Sequence, residues 1–188
     1  LWSRGLGDVY KRQHLFVGGK KLIVYRRNGM SFNKVREVGF KGGNVFHGLA
    51  LSNSGKLLAS GNDTSVSLFD VSKLLNPSAK PFLRSTQTQK GASEVLFSGD
   101  DATLFVTLEY GEGMLALDVA TLNRKQRISS DRLPVGMARH TLNGKPVVLF
   151  TTQFKTGRPY CPTTDCSGKL HVVDVATLTE TETVSAGC

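Results

Sequence analysis

Residues 95–119 read VLFSGDDATLFVTLEYGEGMLALDV, three short apolar runs parted by two clusters of turn formers. Val95-Leu96-Phe97 is followed by Ser98-Gly99-Asp100-Asp101, then by Leu104 to Leu108. After these come Gly111-Glu112-Gly113 and a last run, Met114 to Leu117, closing on Asp118-Val119. Each run has the length of one strand, and the intervening Gly and Asp supply the backbone angles and local hydrogen bonds that a tight hairpin requires. The stretch therefore predicts strand, hairpin, strand, hairpin, strand. Its middle runs are apolar at every second position on both faces, as expected of strands covered on two sides.

The same grammar recurs outward in both directions. Upstream, His14 to Val17 and Leu22 to Tyr25 predict strands, with turns at Gly18 to Lys21 and Arg26 to Gly29 and an outer strand over Lys34 to Phe40. A complete unit follows: Val45 to Leu51, Leu57 to Ser60, Val66 to Phe69 and a polar outer strand at Pro81 to Thr86. Arg124 to Ser129 completes the third unit. Val135 to Ala138, Pro146 to Thr151, Leu170 to Val173 and Thr181 to Val184 form the fourth, interrupted by an insertion from Phe154 to Gly168.

An aspartate follows the third strand of each complete unit. Asp70 and Asp118 are 48 residues apart, Asp118 and Asp174 are 56 apart, and Arg26 stands at the matching position 44 residues before Asp70. Repeats of this size, built from short strands without a helical pattern, point to propeller blades. The expected fold class is all-β: a β-propeller fragment with three complete four-stranded blades and one partial blade. The blades fall at roughly 14–44, 45–91, 92–134 and 135–188, and the first lacks an apolar strand before His14. An open apolar blade face and an unpaired strand edge would make such a fragment prone to association on its own.

Leu1 to Gln13, LWSRGLGDVYKRQ, shows neither helical nor strand periodicity and has no relation to the repeat. It resembles a translated sequencing-adapter leader, the alternative being a disordered natural tail.

Composition bounds the function classes. No apolar run approaches the roughly 18 residues of a membrane span. The formal charge is +9, from 24 basic and 15 acidic residues. His14 to Lys90 carries 12 basic and 3 acidic residues, and Gly91 to Cys188 carries 9 and 11. The cations are scattered, with no run longer than Lys20-Lys21 or Arg26-Arg27 and no aromatic platform between them. They read as a solvated surface, and no nucleic-acid partner is expected.

The elements LALSNSGKLLASG, VLFSGDDATLFVTL, LALDVATL, LPVGMA and LHVVDVATL resemble the YVTN-type repeats of bacterial and archaeal β-propellers, a group that includes YncE-like and lactonase-like proteins. The likeness covers nearly everything from His14 onward. It departs in detail: Asn53-Ser54 and Gly99-Asp100-Asp101 replace the usual Pro-Asp-Gly, and the first unit lacks the closing aspartate. The Trp-Asp and Gly-His signatures of WD40 blades are absent. The resemblance implies a ring with more blades than this chain carries, so further blades of the same protein are expected as partners.

Candidate functional residues follow from the blade plan. Loops entering the innermost strands, at Asn44 to His47, Gly91 to Glu94 and Leu133 to Gly136, bring His47, Glu94 and Arg132 toward one channel mouth. Such a set can bind a metal or polarise a carbonyl, or can simply line a wet channel. Asp70, Asp118 and Asp174 are expected to accept hydrogen bonds within the turns that follow them, a structural role. Arg139 and His140 are placed at a surface turn. Cys161 and Cys166 have a spacing suited to a small disulfide-closed loop of an exported protein, or are two reduced thiols; Cys188 is left over.

No phosphate loop, dinucleotide fingerprint, nucleophile elbow or paired-histidine metal motif occurs, so neither a cofactor nor a metal is expected. The leading expectation is a non-catalytic binding or scaffold module, periplasmic or extracellular, whose loops engage a protein or cell-surface ligand. The alternatives are a lactonase-like hydrolytic propeller and a propeller associated with a redox cofactor.

Overall fold

Short hairpins joined end to end generate every sheet of this protein. The structure, a computed structural model, describes residues 13–39, 46–88, 91–108, 113–130, 133–153 and 168–186. The segments 1–12 and 154–167, Arg132 and Cys188 lie outside the described residues, so the leader apart from Gln13, the Cys161 and Cys166 pair and the Arg132 assignment fall there too.

The first sheet is three-stranded, β1 (His14–Val17), β2 (Lys21–Asn28) and β3 (Ser31–Gly39). The second contains β4 (Phe46–Leu51), β5 (Leu57–Asn62), β6 (Ser65–Asp70) and β7 (Phe82–Gln87), with the short helix α1 (Val71–Leu74) after β6. The third contains β8 (Ala92–Phe97), β9 (Thr103–Leu108), β10 (Met114–Asp118) and β11 (Arg124–Ile128). The fourth contains β12 (Leu133–Leu142), β13 (Lys145–Gln153), β14 (Gly168–Asp174) and β15 (Glu180–Ala186). Each sheet is an antiparallel meander in chain order. β8 lies against β4 on one side and β12 on the other, so the first strands of the second, third and fourth sheets adjoin and these sheets fan outward from them. This is the radial arrangement of β-propeller blades, three with four strands and one with three.

Alternation within the strands explains the packing. In β9, Leu104, Val106 and Leu108 share a core with Ala59, Val66 and Leu68 of the second blade. Phe105, between them in sequence, packs with Val148, Phe150 and Val173 of the fourth. β10 divides in the same way, Leu115 and Leu117 to one side and Met114 and Ala116 to the other. A strand whose successive side chains each meet a neighbouring blade is covered on both faces: all six residues of β9 are buried, four of them apolar, and the hydroxyls of Thr103 and Thr107 have hydrogen-bond partners. Leu22 and Val24 of β2 meet Leu58, Phe69 and Leu74 of the second blade in a third core.

The structure corrects three expectations. β2 does not turn at Arg26: it runs to Asn28, Arg26 pairs with Asn33, and the chain reverses at Gly29, whose φ is +61°. The expected turn at Arg139-His140 is also absent. Both residues lie within β12, paired with Val148 and Val147, and the reversal comes at Asn143 and Gly144, with φ of 51° and 76°. Two adjacent positive φ values suit the tightest hairpin turn, so the strands zip up to the Asn-Gly pair.

The third correction is α1, one helical turn where no helix is expected. Asp70 caps it, accepting from Lys73 N at 3.2 Å. In the third and fourth blades the equivalent segment closes at once, because Leu122 and Leu178 take φ of 60° and 57°. Leu122 N donates to Asp118 O and Leu178 N to Asp174 O. A left-handed leucine costs about 1 kcal/mol, which the burial of Leu122 offsets.

Candidate functional site

Glycines let the inner strands approach closely enough to bring polar side chains of different blades together. A Cβ on Gly48 of β4 would lie 2.5 Å from Ser93 O and 2.7 Å from Glu94 Cα. One on Gly61 of β5 would lie 2.4 Å from Ala92 O. The second and third blades therefore meet backbone to backbone where β8 begins.

His47 and Glu94 stand on these neighbouring strands, and each has its own partner. His47 Nε2 is 2.6 Å from Asp63 Oδ1, tying the start of β4 to the turn between β5 and β6. The pair is open to water, with side-chain exposures of 30% and 47%. Glu94 sits where the register of β8 against β9 shifts between Ala92 and Val95. Its backbone N–H donates to Thr107 Oγ1 at 2.9 Å. Its carboxylate reaches the next blade, where Oε2 accepts from Met137 N on β12 at 3.3 Å. Glu94 is thus a bond between the third and fourth blades. An imidazole beside a carboxylate can shuttle a proton. Among the described residues, however, no group of three or more His, Cys, Asp or Glu is placed to hold a metal ion.

A second polar cluster occupies the opposite end of the inner strands, and local sequence gave little sign of it. Asp101, in the left-handed region at φ 60°, turns its carboxylate onto the neighbouring blade. Its oxygens accept from Asn53 N at 2.7 Å and Ser54 N at 2.8 Å. Asn53 Nδ2 donates back to Ser98 O and Gly99 O, and Arg139 Nη1 of β12 donates to Asn53 Oδ1. One asparagine in the β4–β5 turn thereby links three consecutive blades. The only signal in the sequence is the departure of both turns, Asn53-Ser54 and Gly99-Asp100-Asp101, from the commoner repeat pattern.

The three recurrent aspartates each hold their own turn. Asp70 Oδ1 accepts from Ser72 Oγ at 2.6 Å and from Lys73 N. Asp118 Oδ1 accepts from Thr121 N at 2.9 Å and Thr121 Oγ1 at 3.0 Å. Asp174 Oδ1 accepts from Ala176 N, Thr177 N and Thr177 Oγ1. These donors hold all three carboxyls below the usual aspartate range. The largest cause is the Ser72 hydroxyl at Asp70, the Thr121 hydroxyl at Asp118 and the Thr177 backbone N–H at Asp174.

His171 is a further polar residue inside the fold. It is buried in the fourth blade, stacked on Phe150 with ring centroids 4.4 Å apart. Nε2 lies 3.2 Å from Thr152 Oγ1 and Nδ1 lies 3.0 Å from Glu180 Oε2. The hydroxyl, imidazole and carboxylate come from β13, β14 and β15 in turn, so the chain of bonds runs across the sheet and stitches its strands together. With Thr152 and His171 both buried, the hydroxyl faces protein and not solvent.

No family profile and no curated protein matches this sequence. Solved structures do match its fold. Hydrazine synthase of Kuenenia stuttgartiensis is 15% identical with a TM-score of 0.72, over 93% of this chain and 46% of that one. The Swd1 β-propeller domain of Myceliophteria thermophila is 13% identical with a TM-score of 0.68, over 98% and 55%. KlAtg21, in its complex with the coiled coil of AgAtg16, is 12% identical with a TM-score of 0.62, over 99% and 56%. This chain thus spans about half the length of each, and the likeness establishes a shared β-propeller fold.

Proposed function

We propose that this chain is part of a non-catalytic binding propeller, a rigid disc whose loops engage another protein or a cell-surface ligand. The observation that carries the reading is the use made of the polar side chains near the inner strands. Glu94 is bonded to Met137 N, and Asn53 is bonded to Asp101, Ser98, Gly99 and Arg139 of two other blades. These groups fix the blades against one another, which is what a preorganised binding surface needs. A propeller of this fold solved with a coiled coil bound supports the same reading. The finer assignment within it is an exported YVTN-type protein, supported by the repeat pattern and by Cys161 and Cys166.

The competing hydrolytic reading rests on the His47 and Asp63 pair. A lactone panel, assayed with and without added divalent metal on the wild type and on His47→Ala and Glu94→Gln, separates the two. The binding reading expects no turnover above the buffer rate in any of the three. Turnover abolished by His47→Ala in a protein with an unchanged circular dichroism spectrum would replace it with the hydrolytic one.

A further inference from the structure

Two hairpins project from one end of the blades, and hydrogen bonding shows which end. Asn53, in the turn after β4, is bonded to Ser98 O and Gly99 O after β8 and to Arg139 late in β12, so β4, β8 and β12 all finish at the same end. Strands alternate within each sheet, so the third strand of a blade finishes there too: Val71 N donates to Lys56 O, Val119 N to Ala102 O and Val175 N to Pro146 O. The first blade is fixed at this end by Arg36 of β3, which reaches the carbonyls of Lys73, Asn76 and Ala79 after β6.

Register shows how far the hairpins project. In the third blade the inner hairpin stops pairing at Phe97 with Leu104, and Leu104 pairs with Leu117. The matching pair of the fourth blade is Arg139 with Val148, itself paired with Val173, but there the hairpin continues for three more pairs, to Leu142 with Lys145. Its tip therefore stands about 10 Å further out. In the first blade Arg26 holds the repeat position of Asp118, and β2 and β3 stay paired to Asn28 with Ser31, about 7 Å beyond it.

Each tip carries apolar side chains into water with cations beside or behind them. Met30, in the two-residue turn of the first hairpin, is 99% exposed, and Phe32 and Leu142 are 47% and 40% exposed. Arg27 lies directly across from Phe32 with Arg26 one step behind, and Lys145 lies directly across from Leu142. The two arginines bond only neutral groups, Arg27 Nε to Gly29 O and Arg26 Nε to His14 Nε2. Neither tip, 26–34 or 139–146, contains an acid. Acids further along are engaged: Glu37 by Lys21 and Lys34, and Asp174, which feels the charge of Lys145, by Ala176 N and Thr177 N.

We infer that this end of the blades docks on an anionic lipid bilayer, with Met30, Phe32 and Leu142 entering the headgroup boundary and Arg26, Arg27 and Lys145 meeting lipid phosphates. Order along the first hairpin favours a bilayer over a protein partner. The apolar tip comes first and the guanidiniums follow two to three residues behind, about 7–10 Å. Interfacial apolar side chains sink about 5–10 Å, which leaves cations so placed at the level of the phosphates. The inference rests on the binding reading above and names its cell-surface ligand.

The test is co-sedimentation with vesicles of phosphatidylcholine alone and of phosphatidylcholine mixed with phosphatidylglycerol. Binding is expected to the mixed vesicles only and to weaken as salt rises. Arg26→Gln and Arg27→Gln are each expected to weaken it about fivefold, and Met30→Ser about tenfold. The double Lys20→Gln/Lys21→Gln variant, at the opposite end of β2, removes the same charge as Arg26→Gln/Arg27→Gln and is expected to bind as wild type. Met30→Trp, in a Trp2→Phe background that removes the one native tryptophan, reports insertion through a blue shift of emission on mixed vesicles. Equal losses in the two double variants would show attraction to net charge alone and overturn the proposal. So would an absence of binding, an emission that does not move, or tighter binding to an oligo-glutamate peptide than to the vesicles, which would assign this end to an acidic protein. Failure on vesicles leaves the module reading intact, whereas lactone turnover removes that reading too.

Discussion

Replacing Arg36 tests how the first blade is fastened to the second. Its Nη1 donates to Lys73 O at 2.9 Å, Asn76 O at 2.9 Å and Ala79 O at 3.1 Å, the carbonyls at the end of α1 and in the loop beyond. One amino group has two hydrogens, so three acceptors share two donors. A hydrogen bond from a charged group contributes about 1.5–3 kcal/mol when buried. Two of these three bonds are exposed, and water replaces them on truncation. Arg36 Nε is moreover buried without a partner, a cost that an apolar side chain removes. The balance for Arg36→Met is therefore a loss of about 2 kcal/mol, not the sum of three charged bonds. At this chain length that corresponds to a fall in Tm of about 4–8 °C. Arg36→Lys is expected to recover less than half, because the ammonium sits too far back along the side chain to reach the loop. Urea unfolding of the three proteins, followed by circular dichroism, gives the comparison. A midpoint for Arg36→Met equal to that of the wild type, with an unchanged slope, would refute the argument.

Two further outcomes follow from the interfaces and the turns. Gly61→Ala places a methyl 2.4 Å from Ala92 O, and overpacking of this kind costs about 1–3 kcal/mol; Gly99→Ala, with nothing within 4 Å, is expected to be neutral in the same urea titration. Asp118, held below the ordinary aspartate range by Thr121, contributes stability that is complete above the unfolded-state value of about 3.9 and is lost as pH falls through the lower folded value. Thermal melts below about pH 4 are therefore expected to decline less steeply for Asp118→Asn than for the wild type, and identical acid limbs would contradict the assignment.

The sequence by itself determined the strands, their grouping and the turn aspartates. Strand formation is local: the apolar runs around Val95 to Val119 are bounded by residues that force a reversal, and Asp118 finds its donors within three positions along the chain. The same locality explains the misplaced turns. Apolar content stops marking β12 after Ala138, but Asn143-Gly144 supplies the backbone angles, and pairing continues through Arg139 and His140 until it reaches them.

Only the tertiary structure decided what the polar candidates touch. His47 meets Asp63, Glu94 meets Met137, and Asn53 meets Arg139. Each of these depends on strand register, on an irregularity such as the one between Ala92 and Val95 at Glu94, and on the rotation from one blade to the next. A one-residue slip in any strand would leave its apolar content unchanged and turn every one of its side chains to the opposite face.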